Sequence, residues 1–522
     1  MGRRLMTSRD RSHKDIDKLQ EAIVAQLSQT QRGCRRVPYD GSAVGNDTAA
    51  ARAVYRQMQR IAELVVHSGC YTTQRSSDSI FLDLSAVTQL CDQKFVTYNY
   101  DNIPSIWRAI YIDAQLIRAL HVLKALGIHL KVAHLERCIR NLDLALIVAG
   151  AASTSKGQLC HDLIIRLQSM LSELEQYNSH KPESYDNDCS PPRKRFRTAK
   201  VECWSPGLSE TIQADSLIRE FAFGEAPSFM DLAAPDTSVR LTPFIVRAYA
   251  QEAGWSAVQS SMNKSAPGSW SSMEHLLQMA GPGRVVPVEV GANYIRKDWG
   301  QDVMLWSDFL RHCRWDETEQ VSGARGDQIS NALSPRQPLI YMAQHDLTSQ
   351  FPALERDYML PDYVYTSPSP CKECPIYAPP ATSNGVITNL WIGPAGTVSP
   401  PHYDPFYNCF VQAVGFKEVW VAPPHCRPSN EMTGSHSRRY GDSTTIEPEA
   451  SSGTDTTTCI TEALMQNTAD IDVFETLEAV PPFVRAAASK AILGPGDLLY
   501  MPPGWWHSLR SMTRSFSVST WF

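Results

Sequence analysis

Apolar residues recur along the first third of the chain at the spacing of a helix face. Ile16, Leu19, Ile23 and Leu27 form one such row, and Leu135, Ile139, Leu142, Leu146 and Ala149 form another, with Gly150 placed to stop it. A third row runs through Leu159, Leu163, Leu167, Met170 and Leu174. Ser105, after Pro104, has the chemistry of an N-cap for a further helix ending near Gly127. Helices of this length bury their apolar faces against one another, so residues 1–178 are expected to form an all-α domain. Near Asn178 the period is lost. The stretch NSHKPESYDNDCSPPRKRFRTAK is polar and Pro-containing, and 179–203 reads as a flexible basic linker.

From about Trp204 the rhythm shortens to runs of β-branched and aromatic residues between Gly and Pro turns: RVVPVEVG, GVITNLWIG, CFVQAVG, KEVWVAPP, DLLYMPP and SFSVSTWF. Many short strands punctuated in this way predict an antiparallel sandwich or barrel over 204–522, with helical pieces such as SMEHLLQMAG interspersed. The fold class expected is therefore α+β. Residues 425–476, rich in Ser, Thr, Gly and Asp, read as a polar surface insertion.

Composition narrows the function classes. Of 522 residues, 43% are hydrophobic and 20% charged, and the net charge of −6 supplies no basic field for direct nucleic-acid binding. The most apolar segment, IWRAIYIDAQLIRALHVLKALGIHL, is interrupted by Arg108, Asp113, Arg118 and Lys124, so no membrane span is expected. The 13 cysteines form no framework, which suits a reducing compartment. Cys371 and Cys374 form a C-x-x-C without a second pair, and an ordinary loop is the expectation there. The run PPRKRFR, from Pro191 to Arg197, is either a solvated charge cluster or a nuclear import signal, so a nuclear or cytoplasmic location is expected.

Candidate chemistry lies in PPHYDPFYNCFVQAVGFKEVWVAPP. His402, Asp404, Asn408 and Lys417 are costly to bury without partners, yet they interrupt an apolar, strand-like run. On a strand, His402 and Asp404 share a face, and a hairpin turning at Gly415 would bring Asn408 and Lys417 into the same interior. His507, in GDLLYMPPGWWHSLRS, supplies a second imidazole. Two imidazoles and one carboxylate describe the facial triad of non-haem Fe(II) oxygenases. The triad leaves positions for a bidentate 2-oxo acid and for O2. Lys417 then pairs with the distal carboxylate of 2-oxoglutarate, with Asn408 assisting. His345 and His425 are read as non-ligands.

On these residues the resemblance is to the JmjC (Jumonji-C) family. WIGPAGTVSPPHYDPFYNCFVQAVGFKEVWVAPP and GDLLYMPPGWWHSLRSMTRSFSVSTWF resemble the two halves of a JmjC domain, and TPFIVRAYAQEAGW, RVVPVEVGANYIRKDW and LIYMAQHDLTSQFPAL resemble its upstream blocks. The likeness covers Phe221 to Phe522. It implies a double-stranded β-helix (cupin-like) with Fe(II) held by His402, Asp404 and His507. It also implies that Tyr341 and Ser399 join Lys417 and Asn408 on 2-oxoglutarate. In the similar arginyl-hydroxylase subgroup a peptidyl arginine is gripped at positions matching Glu289, Tyr294 and Trp391, and Trp299 lines the same mouth. The resemblance leaves three functions open: arginine hydroxylation of a protein substrate, N-methyl-lysine demethylation, or a non-catalytic chromatin scaffold.

Overall fold

The structure is a computed structural model that describes residues 17–28, 30, 43–67, 74–98, 103–124, 132–179, 218–234, 238–259, 268–291, 299–317, 338–366, 368, 374–426, 428, 467–469, 471–475 and 480–522. Residues 180–203 of the predicted linker, with the PPRKRFR run, and Cys371 lie outside the described residues, and Ser179 ends the last helix of the α part instead. The described part forms two compact units, one of the helical residues up to Ser179 together with Ala280–Val286, the other of the remaining residues from 218 onward.

In the helical unit, α1 (17–28), α2 (Ala43–His67), α3 (Gln74–Thr97), α4 (Ser105–Lys124), α5 (Val132–Ile147) and α6 (Gly157–Ser179) surround one apolar core. The rows read from the sequence supply it: Ile23, Leu27, Leu135, Ile139, Leu142, Leu163 and Leu167 are all buried. Helix α4 is buried on nearly every side, charges included, because those charges are partnered. Asp113 meets Lys156 at 2.5 Å, Arg118 donates to Ser85 Oγ, and Lys124 donates to the Val66 carbonyl. Ser105 is not the cap; it is the first helical residue, and the carbonyl of Pro104 accepts the Trp107 N–H that opens the first turn. Gly150, at φ 67°, adopts the left-handed conformation that follows many helix ends. No described helix is long and apolar enough to cross a membrane.

The second unit holds thirteen strands among the described residues: β1 (Arg219–Ala222), β2 (Phe244–Arg247), β3 (Val285–Val290, whose first two residues count with the helical unit), β4 (Gly300–Leu305), β5 (Ile340–His345), β6 (Ile387–Gly393), β7 (Val398–His402), β8 (Asn408–Val414), β9 (Lys417–Ala422), β10 (Ser489–Leu493), β11 (Leu498–Met501), β12 (Trp506–Ser511) and β13 (Ser515–Trp521). They form a nine-stranded sheet, in the order β1-β2-β11-β8-β13-β6-β5-β3-β4, and a four-stranded sheet, β10-β9-β12-β7. The runs read as strands from the sequence are β3, β6, β8, β9, β11 and β13.

One expectation is corrected by the topology. Strands β8 and β9 are not a hairpin: β8 pairs with β11 and β13 in the large sheet, and β9 pairs with β10 and β12 in the small one. Gly415, at φ 75°, turns the chain from one sheet to the other. Asn408 and Lys417 still meet in one interior, because they project inward from opposite sheets.

The predicted insertion is corrected at its far end. Residues 467–469 and 471–475 are packed, with Ala469 and Val473 fully buried in an apolar cluster containing Trp420, Cys426 and Trp506. Thr468 forms a β-bridge to His402.

Candidate metal centre and its pocket

Strand β7 ends at His402, and β12 runs beside it with His507 directly opposite His402 in an antiparallel register. Their rings lie 4.2 Å apart between centroids. Asp404 lies just past the end of β7 rather than on it, and the short segment after the strand brings its carboxylate back to 3.7 Å from His507 Nε2. One ligating atom from each of His402, Asp404 and His507 lies within 4.8 Å of the others, a group that could hold a metal ion. No other cluster of this kind occurs among the described residues. His345 instead meets Gln350 through Nε2, at 2.8 Å.

The donor set is prepared for a cation. His402 Nδ1 lies 2.8 Å from the Pro400 carbonyl and His507 Nδ1 lies 3.0 Å from the Trp505 carbonyl. A carbonyl can only accept, so each Nδ1 carries the proton and each Nε2 keeps its lone pair. Burial, reinforced by neighbouring His402, lowers the pKa of His507 to about 4, which keeps this ring neutral at physiological pH.

The same cavity is walled by the residues expected to hold the cosubstrate. Tyr341, Ser399, Asn408 and Lys417 line it together with the three candidate ligands and Trp391. Lys417 is buried, donates to Tyr341 Oη at 3.1 Å, and has no carboxylate in an ion pair with it among the described residues. Burial alone brings its pKa down to about 7. A lysine paid for in this way, facing a cavity, calls for an anion. Ser399 hydrogen-bonds the Tyr341 phenol, and Ser519 donates to Asn408 Oδ1 at 3.0 Å, leaving the amide N–H groups of Asn408 for another acceptor.

Further lining residues were not singled out in the sequence: Phe410, Met501, Leu509, Ser519 and Trp521. Phe410 and Leu509 could have been found by counting in twos from Asn408 and His507. Ser519 and Trp521 could not, because their facing depends on the β8–β13 register, which sets Trp521 opposite Asn408.

Glu289 does not line this cavity. It lies on β3 directly across from Tyr341 on β5, and Trp299 Nε1 donates to its Oε2 at 3.2 Å. Burial raises the Glu289 pKa to about 7, with the Trp299 N–H pulling the other way. Trp391 packs 6.0 Å from Tyr341 between ring centroids, and its indole N–H is buried without an acceptor among the described residues. Tyr294 lies outside the described residues. Of the expected substrate-gripping set, the structure therefore brings Glu289 and Trp299 together and places Trp391 on the wall of the cavity.

Residues 238–522 match the family model described as Cupin-like domain. Jumonji C domain-containing protein 5 of Drosophila melanogaster is 35% identical over 254 residues, covering 48% of this chain and 50% of that protein. Lysine-specific demethylase JMJ30 of Arabidopsis thaliana is 31% identical over 253 residues, covering 48% and 46%. Lysine-specific demethylase 8 of Danio rerio is 29% identical over 252 residues, covering 48% of each chain. The likeness thus spans about half the length of each of these relatives.

Proposed function

We propose a function on the premise that this chain belongs to the Cupin-like domain family, with JmjC proteins among its relatives: it is an Fe(II)- and 2-oxoglutarate-dependent oxygenase that hydroxylates arginine side chains of protein substrates, releasing succinate and CO2. His402, Asp404 and His507 would hold the iron, and the two Nε2 lone pairs freed by the Pro400 and Trp505 carbonyls fit that role. Lys417, Tyr341, Asn408 and Ser399 would hold 2-oxoglutarate, whose distal carboxylate answers the buried ammonium. When bound, iron and 2-oxoglutarate together activate O2 for attack on a C–H bond. The chain's own residues orient the cosubstrate and keep bulk water from the site through Phe410, Leu509, Met501 and Trp521.

The observation that carries arginine over other side chains is Glu289. Its side chain is half-buried, accepts a hydrogen bond from Trp299, and lies on the strand next to the one that carries Tyr341. A guanidinium presents several donors in a fork that a carboxylate can accept in pairs, whereas a methylated ammonium presents few. Tyr294 and Trp391 would complete the grip. A second reading, N-methyl-lysine demethylation, is favoured by the names of two relatives. Mass spectrometry of peptides incubated with the protein, Fe(II), 2-oxoglutarate and ascorbate separates the two. Arginine peptides gaining one oxygen support the first reading, and methyl-lysine peptides losing a methyl group while arginine stays untouched overturn it.

We also propose that PPRKRFR directs nuclear import. Persistent nuclear accumulation of a chain lacking residues 191–197 overturns that address.

A further inference from the structure

We infer that Asn467 is a positioning residue of the metal centre, acting through Tyr403, the residue that separates two of its ligands. The inference rests on the metal reading above. Tyr403 stands between His402 and Asp404, so the torsions of its backbone set how those two ligating groups are spaced. Past the end of β7 no sheet ladder fixes that backbone, and the hydrogen bonds come from residues 467–469 instead. Asn467 takes both backbone polar groups of Tyr403: its carbonyl accepts the Tyr403 N–H at 3.1 Å, and its side-chain Nδ2 donates to the Tyr403 carbonyl at 3.0 Å. Next to it Thr468 bridges His402, and the Ala469 N–H donates to the Pro401 carbonyl at 2.8 Å.

This strap is anchored where it can transmit position. Ala469, Val473 and Phe474 pack on the outer face of the small sheet against Trp420 and Trp506, and Trp506 is the neighbour of His507. The Tyr403 ring meets Trp506 edge-on at 5.0 Å between centroids. The chain segments that carry all three candidate ligands therefore rest on one apolar cluster, and Asn467 is the point where the strap grips the ligand backbone itself. Partners hydrogen-bonded directly to metal ligands are worth about 10–100-fold in metal affinity, and for Asn467, which acts one residue removed, the lower end of that range is expected.

The test uses the full chain freed of metal by a chelator and titrated calorimetrically with Mn(II), with Co(II) absorption as a second readout. Asn467→Ala, which removes the half-buried carboxamide and with it the Nδ2 hydrogen bond to the Tyr403 carbonyl, is expected to bind Mn(II) about tenfold more weakly. It is also expected to alter the Co(II) spectrum while the metal-free melting temperature stays at the wild-type value. Ala469→Pro, which removes the N–H donated to Pro401, is expected to act in the same direction, and if it does not fold, Asn467→Ala alone decides. A wild type that binds Mn(II) beside an Asn467→Ala variant of equal affinity overturns this inference and leaves the metal reading standing. A variant whose affinity falls only along with its metal-free melting temperature also overturns it, because that marks general loosening. A wild type that binds neither ion overturns the metal reading and this inference with it.

Discussion

At the scale of single residues, buried Lys417 and half-buried Glu289 carry pKa values near the working pH, and each sets one limb of a pH profile. Lys417 titrates at about 7 because burial disfavours its ammonium, whereas a dianionic cosubstrate favours it. Above that pH, binding must recruit a proton, so 2-oxoglutarate affinity is expected to fall, approaching tenfold per pH unit. Calorimetry in Mn(II)-loaded protein between pH 6.5 and 9 checks this; a flat profile would place the cosubstrate elsewhere. Lys417→Arg keeps a charge and flattens the profile if the longer side chain is accommodated, and Lys417→Ala loses the affinity. Glu289 works in the opposite sense. Its carboxyl, raised by burial to about 7, must ionise to grip a guanidinium, so kcat/KM for an arginine peptide should rise through neutrality when 2-oxoglutarate is saturating. Trp299→Phe removes the N–H that favours the carboxylate, and the rising limb is expected to move to higher pH; an unmoved limb would detach Glu289 from substrate binding. The chemistry of these residues was legible in the sequence. Their electrostatics were not, because a pKa near 7 for Lys417 follows from which groups fail to reach it, and that is known only once both sheets are in place.

At the scale of elements, Gly415 decides whether Asn408 and Lys417 face each other. Two residues around a glycine between apolar runs look like a hairpin turn, and the sequence carries no sign that β8 and β9 part into different sheets. Parity along each strand survives that error, which explains why the cavity residues were found although the pairing was not. A side chain at Gly415 meets two obstacles: a backbone at φ 75° and a Cβ position 1.9 Å from the Arg514 carbonyl oxygen. Gly415→Ala is expected to cost about 1–2 kcal/mol for the backbone alone, with the clash added. The same variant should weaken 2-oxoglutarate binding, since β9 begins at Lys417. Denaturant unfolding together with a cosubstrate titration measures both, and a variant of wild-type stability would contradict the assigned turn. Residues 467–469 and 471–475 were misread for a different reason. NTADIDVFE is polar enough to pass for surface, and its burial rests on Ala469, Val473 and Phe474 filling the outer face of a sheet whose existence no local pattern announces.

At the scale of the whole molecule, the helical rows and the strand punctuation divided the chain into an α part and a β part, and the family model matches within the β part. What closes that part is the separation of the ligands in sequence. His402 and Asp404 are contributed at one end of the small sheet's edge strand and His507 by its neighbour, more than a hundred residues later, as β7 and β12 pair. An unfolded chain cannot hold the three groups together at useful concentration, so a metal bound by all three binds the folded state alone. At a free concentration of 100 times its dissociation constant such a ligand adds about 2.7 kcal/mol to stability. For a unit of this size that corresponds to a melting temperature higher by roughly 4–5 °C. Scanning calorimetry of chelator-treated protein with and without Mn(II) should show that rise in the wild type. His402→Ala, Asp404→Ala and His507→Ala should each lose most of it while keeping the metal-free transition near its original temperature, because each removes a ligand at the cavity rather than a core side chain. An equal rise in all four proteins would mean that the ion acts elsewhere on the surface. A rise abolished by all three substitutions alike shows one site assembled from two distant strands, which is the arrangement the fold provides.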